Sequence, residues 1–368
     1  MPRSANRLRA LAGALTGALA RPRLAARPAN PRRILVLHEL LLGDTVMLAP
    51  LLAALRSRYA DADIFVTSSP AYAGLFSEKP YGVRVLPYSE REPGALDALG
   101  PAADCDIAFL PGDNRHAMTA RAIGARWIVG FTGGKTVWRN RAVDELVEFP
   151  SEPAALADLF ATLAGLDGPS LRALRYRKGD WPAPAFEPFE MPAGPYAVLH
   201  VGAGSRLRLW EPHKWRTVAQ ALLERGLDVV WSAGKNESGI VSAIDPVGRH
   251  PSYAGALDLA QLWRLLANAR VAVTLDTGIA HLAKLTRTPV AVIFGPGSAT
   301  LFGKGRFWCD NDFAEVATRQ FPCRDQQRLF GREIPWVRRC NRKPPDCPRA
   351  RCMEAIAPEQ VVEALNVE

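Results

Sequence analysis

The stretch that most constrains the fold is 273–296, where a strand, a turn, a helix and a second strand follow one another. A β-branched run is followed by Asp276, Thr277 and Gly278, and then by a helix that contains His281. A further apolar run at 290–294 ends in Gly-Pro, as expected of a buried strand in a parallel sheet. This order predicts a βαβ unit with its turn at the carboxyl end of the first strand.

The turn in this unit is suited to hold an anion. The first N–H groups of a helix have no partner within the helix, and the helix dipole adds positive potential there. Thr277 can cap the helix, Gly278 lets a ligand approach the backbone, and His281 can add a donor. The alternative is a plain strand–turn–helix with a capping threonine and a buried histidine.

Strands alternate with helices along both halves of the chain, which predicts two doubly wound α/β domains. Apolar runs mark the strands at 33–38, 64–67, 83–86, 107–110, 127–130, 196–201, 227–232, 273–275 and 290–294. Five prolines without a period separate the halves and indicate an extended connection. We therefore predict an N-terminal domain at 33–180, a linker at 181–195, a C-terminal domain at 196–354 and a C-terminal helix at 355–368.

The first 32 residues form a basic arm. Residues 1–33 hold no acidic side chain and these arginines: Arg3, Arg7, Arg9, Arg21, Arg23, Arg27, Arg32 and Arg33. The uncharged stretch 10–20 is too short to span a bilayer. Three interpretations stay open. The arm is disordered, or it rests on anionic lipid through one apolar face (Leu8, Leu11, Leu15 and Leu19), or it is a secretion signal of an exported binding protein, cleaved after Ala18-Leu19-Ala20.

The charge and the cysteines restrict the partners and the compartment. A formal net charge of +9 favours nucleotides, phosphorylated sugars or an anionic membrane surface. We do not expect nucleic acid as a partner, because no RNP-type, helix-turn-helix or zinc-finger pattern is present.

The cysteines are few for a chain of 368 residues, and we interpret them as mainly reduced: Cys105, Cys309, Cys323, Cys340, Cys347 and Cys352. The last four do not form paired CxxC motifs, which favours structural thiols over a zinc site.

In the first half, Gly43 and Asp44 follow the first predicted strand, at the edge where open α/β sheets bind ligands. Asp44 is either a general base facing a cleft or only the N-cap of the next helix. The segments 111–116 and 130–140 follow two further strands and carry basic and amide side chains. Each is a candidate contact for a polar or anionic group, or a solvated loop.

In the second half, Gly202-Ala203-Gly204-Ser205 opens the domain and Arg208 follows shortly after. Leu207 stands where a dinucleotide fingerprint has its third glycine, which argues against a dehydrogenase. Small residues beside Ser205 and Arg208 are suited to cradle a diphosphate. Glu237 follows the next strand and can bind a ribose diol. Alternatively, Glu237 only stands at the start of the next helix, where the helix dipole favours a negative charge.

Together these motifs resemble glycosyltransferase family 9, the heptosyltransferases of lipopolysaccharide core assembly. The most specific part is Asp276-Thr277-Gly278-Ile279-Ala280-His281 followed by Phe294-Gly295-Pro296. Gly43-Asp44, the glycine-rich opening of the second domain, and Gly234 with Glu237 agree with it. The resemblance covers about 33–366, including the cysteine-bearing tail, although the insertion at 324–339 is longer and more basic than the family pattern.

The resemblance implies a GT-B fold, with two Rossmann-like doubly wound domains facing a central cleft and a last helix, at 355–368, that crosses back to the first domain. It implies a nucleotide-sugar donor, most simply ADP-heptose, in the C-terminal domain and a lipid-linked phosphorylated saccharide acceptor against the N-terminal one. Transfer would be inverting, metal-independent and without a cofactor, and Asp44 would be the general base. The donor-binding residues would be Gly202, Ser205, Arg208, Glu237, Asp276, Thr277, Gly278 and His281. The expected location is the cytoplasm, with the inner membrane face as a peripheral site.

Two alternative functions stay open on the sequence. The chain could be another GT-B enzyme that uses a UDP- or GDP-sugar, or a catalytically silent protein that binds sugar nucleotides. Donor preference separates the first alternative from the heptosyltransferase, and donor turnover separates the second.

Overall fold

The structure, a computed structural model, describes residues 2–20, 24–134, 137–166, 168–318 and 321–365, and of 2, 15–20, 137, 138 and 168 only the backbone. The chain divides into two compact units. The first comprises Met1–Tyr176, Asp180–Pro182 and Arg328–Trp336, and the second comprises Arg177–Gly179, Ala183–Gln327 and Val337–Glu368. Both units are α/β structures built on a parallel sheet, as predicted.

The first unit alternates strands with short helices. Its elements are α1 (Pro2–Ala20), β1 (Arg33–Val36), α2 (Leu42–Val46), α3 (Ala49–Arg58), β2 (Asp63–Ser68), β3 (Arg84–Pro87), β4 (Ile107–Leu110), α4 (Ala117–Ala122), β5 (Trp127–Phe131), α5 (Val137–Asn140), β6 (Glu145–Val147), α6 (Leu156–Thr162) and α7 (Gly168–Ala173). The strands pair in the order β3-β2-β1-β4-β5-β6, all parallel. β4 and β5 are buried along their whole length, because helices cover both faces of such a sheet.

The second unit repeats this plan with five strands in the part of the chain that the structure describes. Its elements are β7 (Tyr196–His200), α8 (Pro212–Glu224), β8 (Asp228–Ser232), α9 (Ser238–Ile244), α10 (Leu259–Asn268), β9 (Val271–Leu275), α11 (Gly278–Thr286), β10 (Val290–Phe294), α12 (Ala299–Phe302), β11 (Phe313–Ala317), α13 (Arg351–Glu354) and α14 (Pro358–Glu363). The sheet order is β11-β10-β9-β7-β8, again parallel. Capping fixes the start of α10, where Asp258 and Gln261 bond reciprocally.

One element from the second half of the sequence belongs to the first unit. The short strands β12 (Arg328–Leu329) and β13 (Arg332–Glu333) form an antiparallel hairpin within the basic insertion. Arg332 is buried, and it donates to the carbonyl oxygens of Thr132 at 2.5 Å and Phe131 at 2.9 Å. The sequence indicated an insertion here but not its destination.

In its described part, 355–365, the C-terminal segment belongs to the second unit, and its crossing back to the first domain stays a prediction. α14 packs on α8 of its own unit. The ammonium of Lys214, a buried side chain of α8, donates to the carbonyl oxygens of Glu354 and Ile356, and Trp210 Nε1 donates to Ile356 at 3.1 Å. These bonds satisfy polar groups that would otherwise be buried without partners, which holds the segment in place. Residues 366–368 lie outside the described part.

The basic arm is a helix, which corrects the interpretation of disorder for 2–20. α1 packs on α4, with Ala10 and Ala14 buried. A side chain at Gly13 would meet Ala122, since a Cβ there would lie 3.1 Å from the Cβ of Ala122. Leu8 and Leu11 face solvent. The side chains of Leu15 and Leu19, and residues 21–23, lie outside the described part.

The predicted linker is more structured than its prolines suggested. Trp181 is buried in the first unit, where its Nε1 donates to the carbonyl oxygen of Leu75 at 2.8 Å. From Ala183 onward the segment belongs to the second unit. There the carbonyl oxygens of Glu187 and Glu190 accept hydrogen bonds from Gln261 and Tyr253. Residues 180–182 therefore belong to the first unit and 183–195 to the second, as do 177–179.

Candidate active site

In each unit the predicted site residues, apart from Glu237 after β8, follow the two strands between which the strand order reverses. In the first unit that point lies between β1 and β4, which precede Asp44 and the segment 111–116 respectively. In the second unit it lies between β7 and β9, which precede Gly202 and Asp276. Open α/β sheets bind ligands outside the carboxyl ends of their strands at such switch points. The fold therefore brings these residues to the binding edge of each sheet.

Asp44 lies inside the first turn of α2 and not at its N-cap. The N-cap residue is Leu41, whose side chain makes no capping bond and is 73% exposed. Asp44 is partly exposed. The interpretation of Asp44 as a simple N-cap is therefore wrong, and its role as general base stays a prediction.

The loop before Asp44 is held by polar contacts. The backbone N–H of His38 donates to Thr67 Oγ1 at 2.7 Å, and the N–H of Leu40 donates to His38 Nδ1 at 3.2 Å. Burial, with a contribution from His116, lowers the pKa of His38 to about 3, so the ring is neutral at pH 7. Glu39 Oε1 accepts from Ser89 Oγ at 3.0 Å and thereby fixes the loop on its other side.

Glu90 is a buried charge that the sequence did not single out. Arg3 Nε lies 3.2 Å and Arg7 Nη2 3.3 Å from its Oε2, while His116 Nδ1 lies 3.2 Å from its Oε1. Burial opposes the ionisation of Glu90, but His116, Arg3 and Arg7 outweigh it and lower the pKa to about 2. The N–H of Glu90 also donates to Glu39 at 3.2 Å. Glu90 thus links α1 to the loop that precedes Asp44.

In the second unit, α11 begins as predicted. Thr277 is its N-cap and accepts a hydrogen bond from the N–H of Ile279 at 3.3 Å. Asp276 is buried just before it, and Arg208 Nη1 donates to the carbonyl oxygen of Asp276 at 2.6 Å. The same guanidinium lies 3.7 Å from Asp276 Oδ2. Burial raises the pKa of Asp276, and Arg208 partly opposes this rise.

His281 is fully enclosed one helical turn below the N-terminus of α11. Burial, together with the positive charge of Lys284, lowers the pKa of His281 well below its usual value, so the ring is neutral. Its Nδ1 and the Oδ2 of Asp276 are both buried without a hydrogen-bond partner among the described residues. Buried polar atoms in proteins are nearly always paired, so orphaned ones at a switch point indicate a place for a polar ligand.

Glu237 joins the turns that follow β7 and β8. Its Oε1 accepts from the N–H of Ala203 at 2.9 Å, and its Oε2 accepts from the N–H of Gly234 at 2.7 Å. Although Glu237 is the N-cap residue of α9, its side chain makes no capping bond there. A carboxylate has about four acceptor sites, so the two backbone bonds leave capacity for ligand hydroxyls.

The glycines of this site allow unusually close approaches. A Cβ at Gly202 would lie 1.9 Å from Glu237 Oε2, and a Cβ at Gly297 would lie 2.0 Å from Asp276 Oδ2. Gly295 is equally crowded by Met353 Sδ, at 2.1 Å. Ser205 has a local role, because its Oγ accepts from the N–H of Leu207 at 3.3 Å and caps the 3₁₀ turn of Arg206–Arg208. Its contact with a donor stays a prediction, as do those of the other predicted donor-binding residues.

Sequence reasoning missed three contributors. Gly297 stands one residue beyond the recognised Phe-Gly-Pro, so extending that motif would have found it. Lys284 is a fully buried cation on α11 that lies over the rings of Trp308 and Phe313, at 5.0 Å and 4.5 Å. Glu90 stands in an ordinary polar loop, where no pattern marks a buried charge.

The described residues hold no group of three or more His, Cys, Asp or Glu side chains placed to bind a metal ion. All six cysteines are free thiols. Burial raises the pKa of the Cys105 thiol to about 12, so this side chain is un-ionised. Among the described helices, none combines the length and hydropathy needed to span a bilayer.

The family model of glycosyltransferase family 9 (heptosyltransferase) matches residues 103–332. Lipopolysaccharide heptosyltransferase 1 of Pseudomonas aeruginosa is 30% identical over 157 residues, which cover 38% of this chain and 42% of that protein. Lipopolysaccharide heptosyltransferase 3 of Escherichia coli is 24% identical over 77% of this chain and 89% of its own.

The fold agrees with a solved structure. The structure of E. coli ADP-heptose lps heptosyltransferase II matches with a TM-score of 0.63 and 20% identity, covering 91% of this chain and 97% of that one. This likeness shows the GT-B fold that the sequence predicted. With the family model matching more than half of its length, the chain belongs to glycosyltransferase family 9, the heptosyltransferase family, and is a glycosyltransferase.

Proposed function

We propose that the protein transfers heptose from ADP-heptose to a lipopolysaccharide-type acceptor. The observation that carries the donor assignment is the switch point of the second unit, where α11 begins beside buried, unsatisfied polar atoms of Asp276 and His281. The relatives named above supply the sugar and the pathway, since they are a Pseudomonas and an E. coli lipopolysaccharide heptosyltransferase and an ADP-heptose enzyme.

The diphosphate of the donor binds at the N-terminus of α11. Backbone N–H groups and the helix dipole there favour negative charge. Arg208, held by Asp276, adds a fixed positive charge, and neutral His281 adds a hydrogen bond. Glu237 accepts the ribose hydroxyls with the acceptor sites that its two backbone bonds leave.

Asp44 acts on the acceptor. Its carboxylate removes the proton of the attacking hydroxyl as that oxygen bonds to the anomeric carbon. The bond from the anomeric carbon to the diphosphate oxygen breaks in the same step, and ADP leaves with the electron pair. Because this is a single displacement, the configuration at the anomeric carbon is inverted. Positive charge and oriented N–H groups at the donor site stabilise the leaving diphosphate, so the step proceeds without a metal ion.

The protein works at the inner membrane face of the cytoplasm through α1. Leu8 is 68% exposed and Leu11 42%, and α1 contains no acidic residue. Exposed leucines beside arginines suit the surface of an anionic membrane. We expect the protein to sediment with phosphatidylglycerol vesicles and not with phosphatidylcholine vesicles, and we expect a Leu8→Glu, Leu11→Glu variant to remain in the supernatant. Equal binding of wild type and variant would contradict this placement.

A panel of ADP-heptose, UDP-sugars and GDP-sugars tests the donor, with thermal shift and product formation read in parallel, each with and without EDTA. We expect stabilisation and turnover with ADP-heptose alone, unaffected by EDTA. Preference for a UDP- or GDP-sugar would keep the enzyme class and replace the donor. Binding without turnover, using core-truncated lipopolysaccharide as the acceptor, would indicate a silent sugar-nucleotide-binding protein. Loss of turnover with EDTA would contradict metal independence.

A further inference from the structure

Three segments that are far apart in the sequence meet in the first unit at a site separate from Asp44's turn. The segment after β4, the glycine-rich segment after β5 and the tip of the β12–β13 hairpin enclose a small cavity. Its volume is about 60 Å³, which at roughly 15 Å³ per water-sized group accommodates about four such groups. The hairpin comes from the insertion at 324–339, so this cavity exists only because the chain returns to the first unit.

The hairpin is held in place by Arg332. In addition to Phe131 and Thr132, its guanidinium donates to the carbonyl oxygen of Gly112 at 3.2 Å. It also lies over the rings of Phe131 and Phe149, at 5.9 Å and 5.5 Å. A buried guanidinium with this many satisfied donors fixes the hairpin against the segments that follow β4 and β5.

The turn of the hairpin places the ring of Phe330 at the cavity, in a backbone conformation that bulky residues disfavour. Leu329 pairs with Arg332, and the two residues between them have φ of 48° at Phe330 and 76° at Gly331. Such a two-residue turn normally carries Asn-Gly, because bulky side chains disfavour positive φ. Phe330 adopts it and stacks on Phe160, with ring centroids 6.0 Å apart. Strained side chains of this kind cluster at binding sites.

The polar lining offers acceptors to a ligand that donates hydrogen bonds. Its two guanidinium groups are engaged within the unit, that of Arg332 with backbone carbonyl oxygens and that of Arg139 at 3.9 Å from Asp113 Oδ2. Asp113 lines the cavity as a carboxylate, because Arg115 outweighs the effect of burial and keeps the pKa of Asp113 below its usual value. Asn114 also lines it, and its orientation is set by two acceptors of its Nδ2, the carbonyl oxygen of Phe131 at 2.9 Å and Asn140 Oδ1 at 2.7 Å. The remaining Oδ1 is buried and has no partner among the described residues. A phosphate would bring further acceptor oxygens to these groups, whereas sugar hydroxyls donate.

We propose that this cavity is a subsite that receives one hydroxyl-bearing edge of an uncharged sugar of the acceptor, with Asp113 accepting its hydroxyls and Phe330 packing against its C–H face. The subsite rests on the proposed function for the identity of the acceptor. It assigns a role in acceptor selection to the basic insertion, which the second half of the sequence contributes to the first unit. Phe330 and Asp113 are specificity-determining residues here, and neither takes part in the chemical step.

The test uses Phe330→Asn and Asp113→Asn in the full-length protein. Asparagine tolerates the left-handed turn, so Phe330→Asn removes the ring without straining the hairpin. Asparagine also retains the acceptor oxygen that caps the turn at Asp113, so the loop is preserved. Arg328→Ala is the matched control, because Arg328 lies on the same hairpin but pairs only with exposed Glu333 among the described residues.

Two readouts separate the subsite from the proposed function. The first is steady-state transfer to de-acylated, core-truncated lipopolysaccharide. There we expect KM for the acceptor to rise roughly tenfold in both variants, the loss of one good contact, with KM for the donor unchanged. The second is calorimetric binding of the same saccharide without donor, which does not depend on turnover. We expect weaker binding by both variants and wild-type binding by Arg328→Ala.

If the wild-type protein binds the saccharide without turnover, and the two variants bind it more weakly, the proposed function is overturned and the subsite is retained. Unchanged KM and unchanged binding in both variants would overturn the subsite. A last experiment repeats the binding measurement after phosphatase treatment of the saccharide. We expect the ratio of variant to wild-type affinity to be the same as before treatment. A ratio that returns to one would show that the cavity binds phosphate.

Discussion

Gly202 has no space for a side chain because of Glu237, whose Oε2 would lie 1.9 Å from a Cβ at that position. The glutamate in turn bonds the N–H groups of Ala203 and Gly234. Two turns that follow neighbouring strands are therefore joined through one carboxylate, and the absence of a side chain at residue 202 permits it.

Gly202→Ala should displace Glu237 from this position. Two backbone N–H groups then lose their acceptor, so we expect a stability loss of about 1–3 kcal/mol and weaker binding of ADP-heptose. Gly204→Ala is the control, because a Cβ there meets no atom within 4 Å. Calorimetric donor binding and chemical unfolding measure both effects. Wild-type donor affinity in Gly202→Ala would contradict the role of Glu237.

Asp44→Asn tests the general base. Asparagine keeps the shape of the side chain but does not accept a proton at neutral pH, so we expect transfer to fall by about 10²–10⁴. Donor binding should stay within about twofold of wild type, because Asp44 and the donor-binding residues belong to different units. A variant that retains a tenth of the wild-type rate would contradict the assignment of Asp44 as the general base.

Three buried histidines should make stability depend on pH. Burial lowers the pKa of His38 to about 3 and of His200 to about 4, and that of His281 falls well below its usual value. In the unfolded chain these rings titrate near 6.5, so below that pH the unfolded state binds more protons than the folded state. Stability is therefore fully present above about pH 6.5 and falls as the pH is lowered.

Each histidine contributes up to about 1.4 kcal/mol per pH unit in that range. We expect the free energy of unfolding, measured by urea titration, to decline from pH 6.5 to pH 4.5. His200→Gln should reduce the slope, since it removes one titrating ring while glutamine can still bond Ser232, which lies 3.0 Å from His200 Nδ1. A stability profile that is flat over this range would refute the assignment of neutral buried rings.

Gly13→Leu should loosen α1 from α4. A Cβ at residue 13 already lies within 3.1 Å of Ala122, so a larger side chain has to push the helices apart. We expect loss of amide hydrogen-exchange protection in α1, whereas Leu11→Gln on the exposed face should keep it. If the loop before Asp44 depends on the arm through Glu90, protection at Leu40 should fall as well. Unchanged protection in Gly13→Leu would show that α1 does not depend on this packing.

The parallel strands and the turn at the start of α11 were largely predictable because their determinants are local. Apolar runs located β4 and β10 to the residue, and a threonine before a helical pattern located the cap of α11. Local patterns also misled. The one helix expected after Asp44 is divided into α2 and α3, with Pro50 in the first turn of α3, where a proline is tolerated. β6, β11 and the hairpin strands were not predicted, since they are short or partly polar.

By itself, the sequence determined the repeated strand–helix order, the positions of the strand-end turns and the residue types that serve an anionic donor. These follow from periodicity and capping, which act over a few residues. Only the tertiary structure decided that Glu90 is a buried charge, that Glu237 joins two turns, and that Arg332 carries a hairpin into the first unit. Such contacts join residues up to 220 positions apart. Their energy comes from desolvation and pairing, which exist only once the chain has folded.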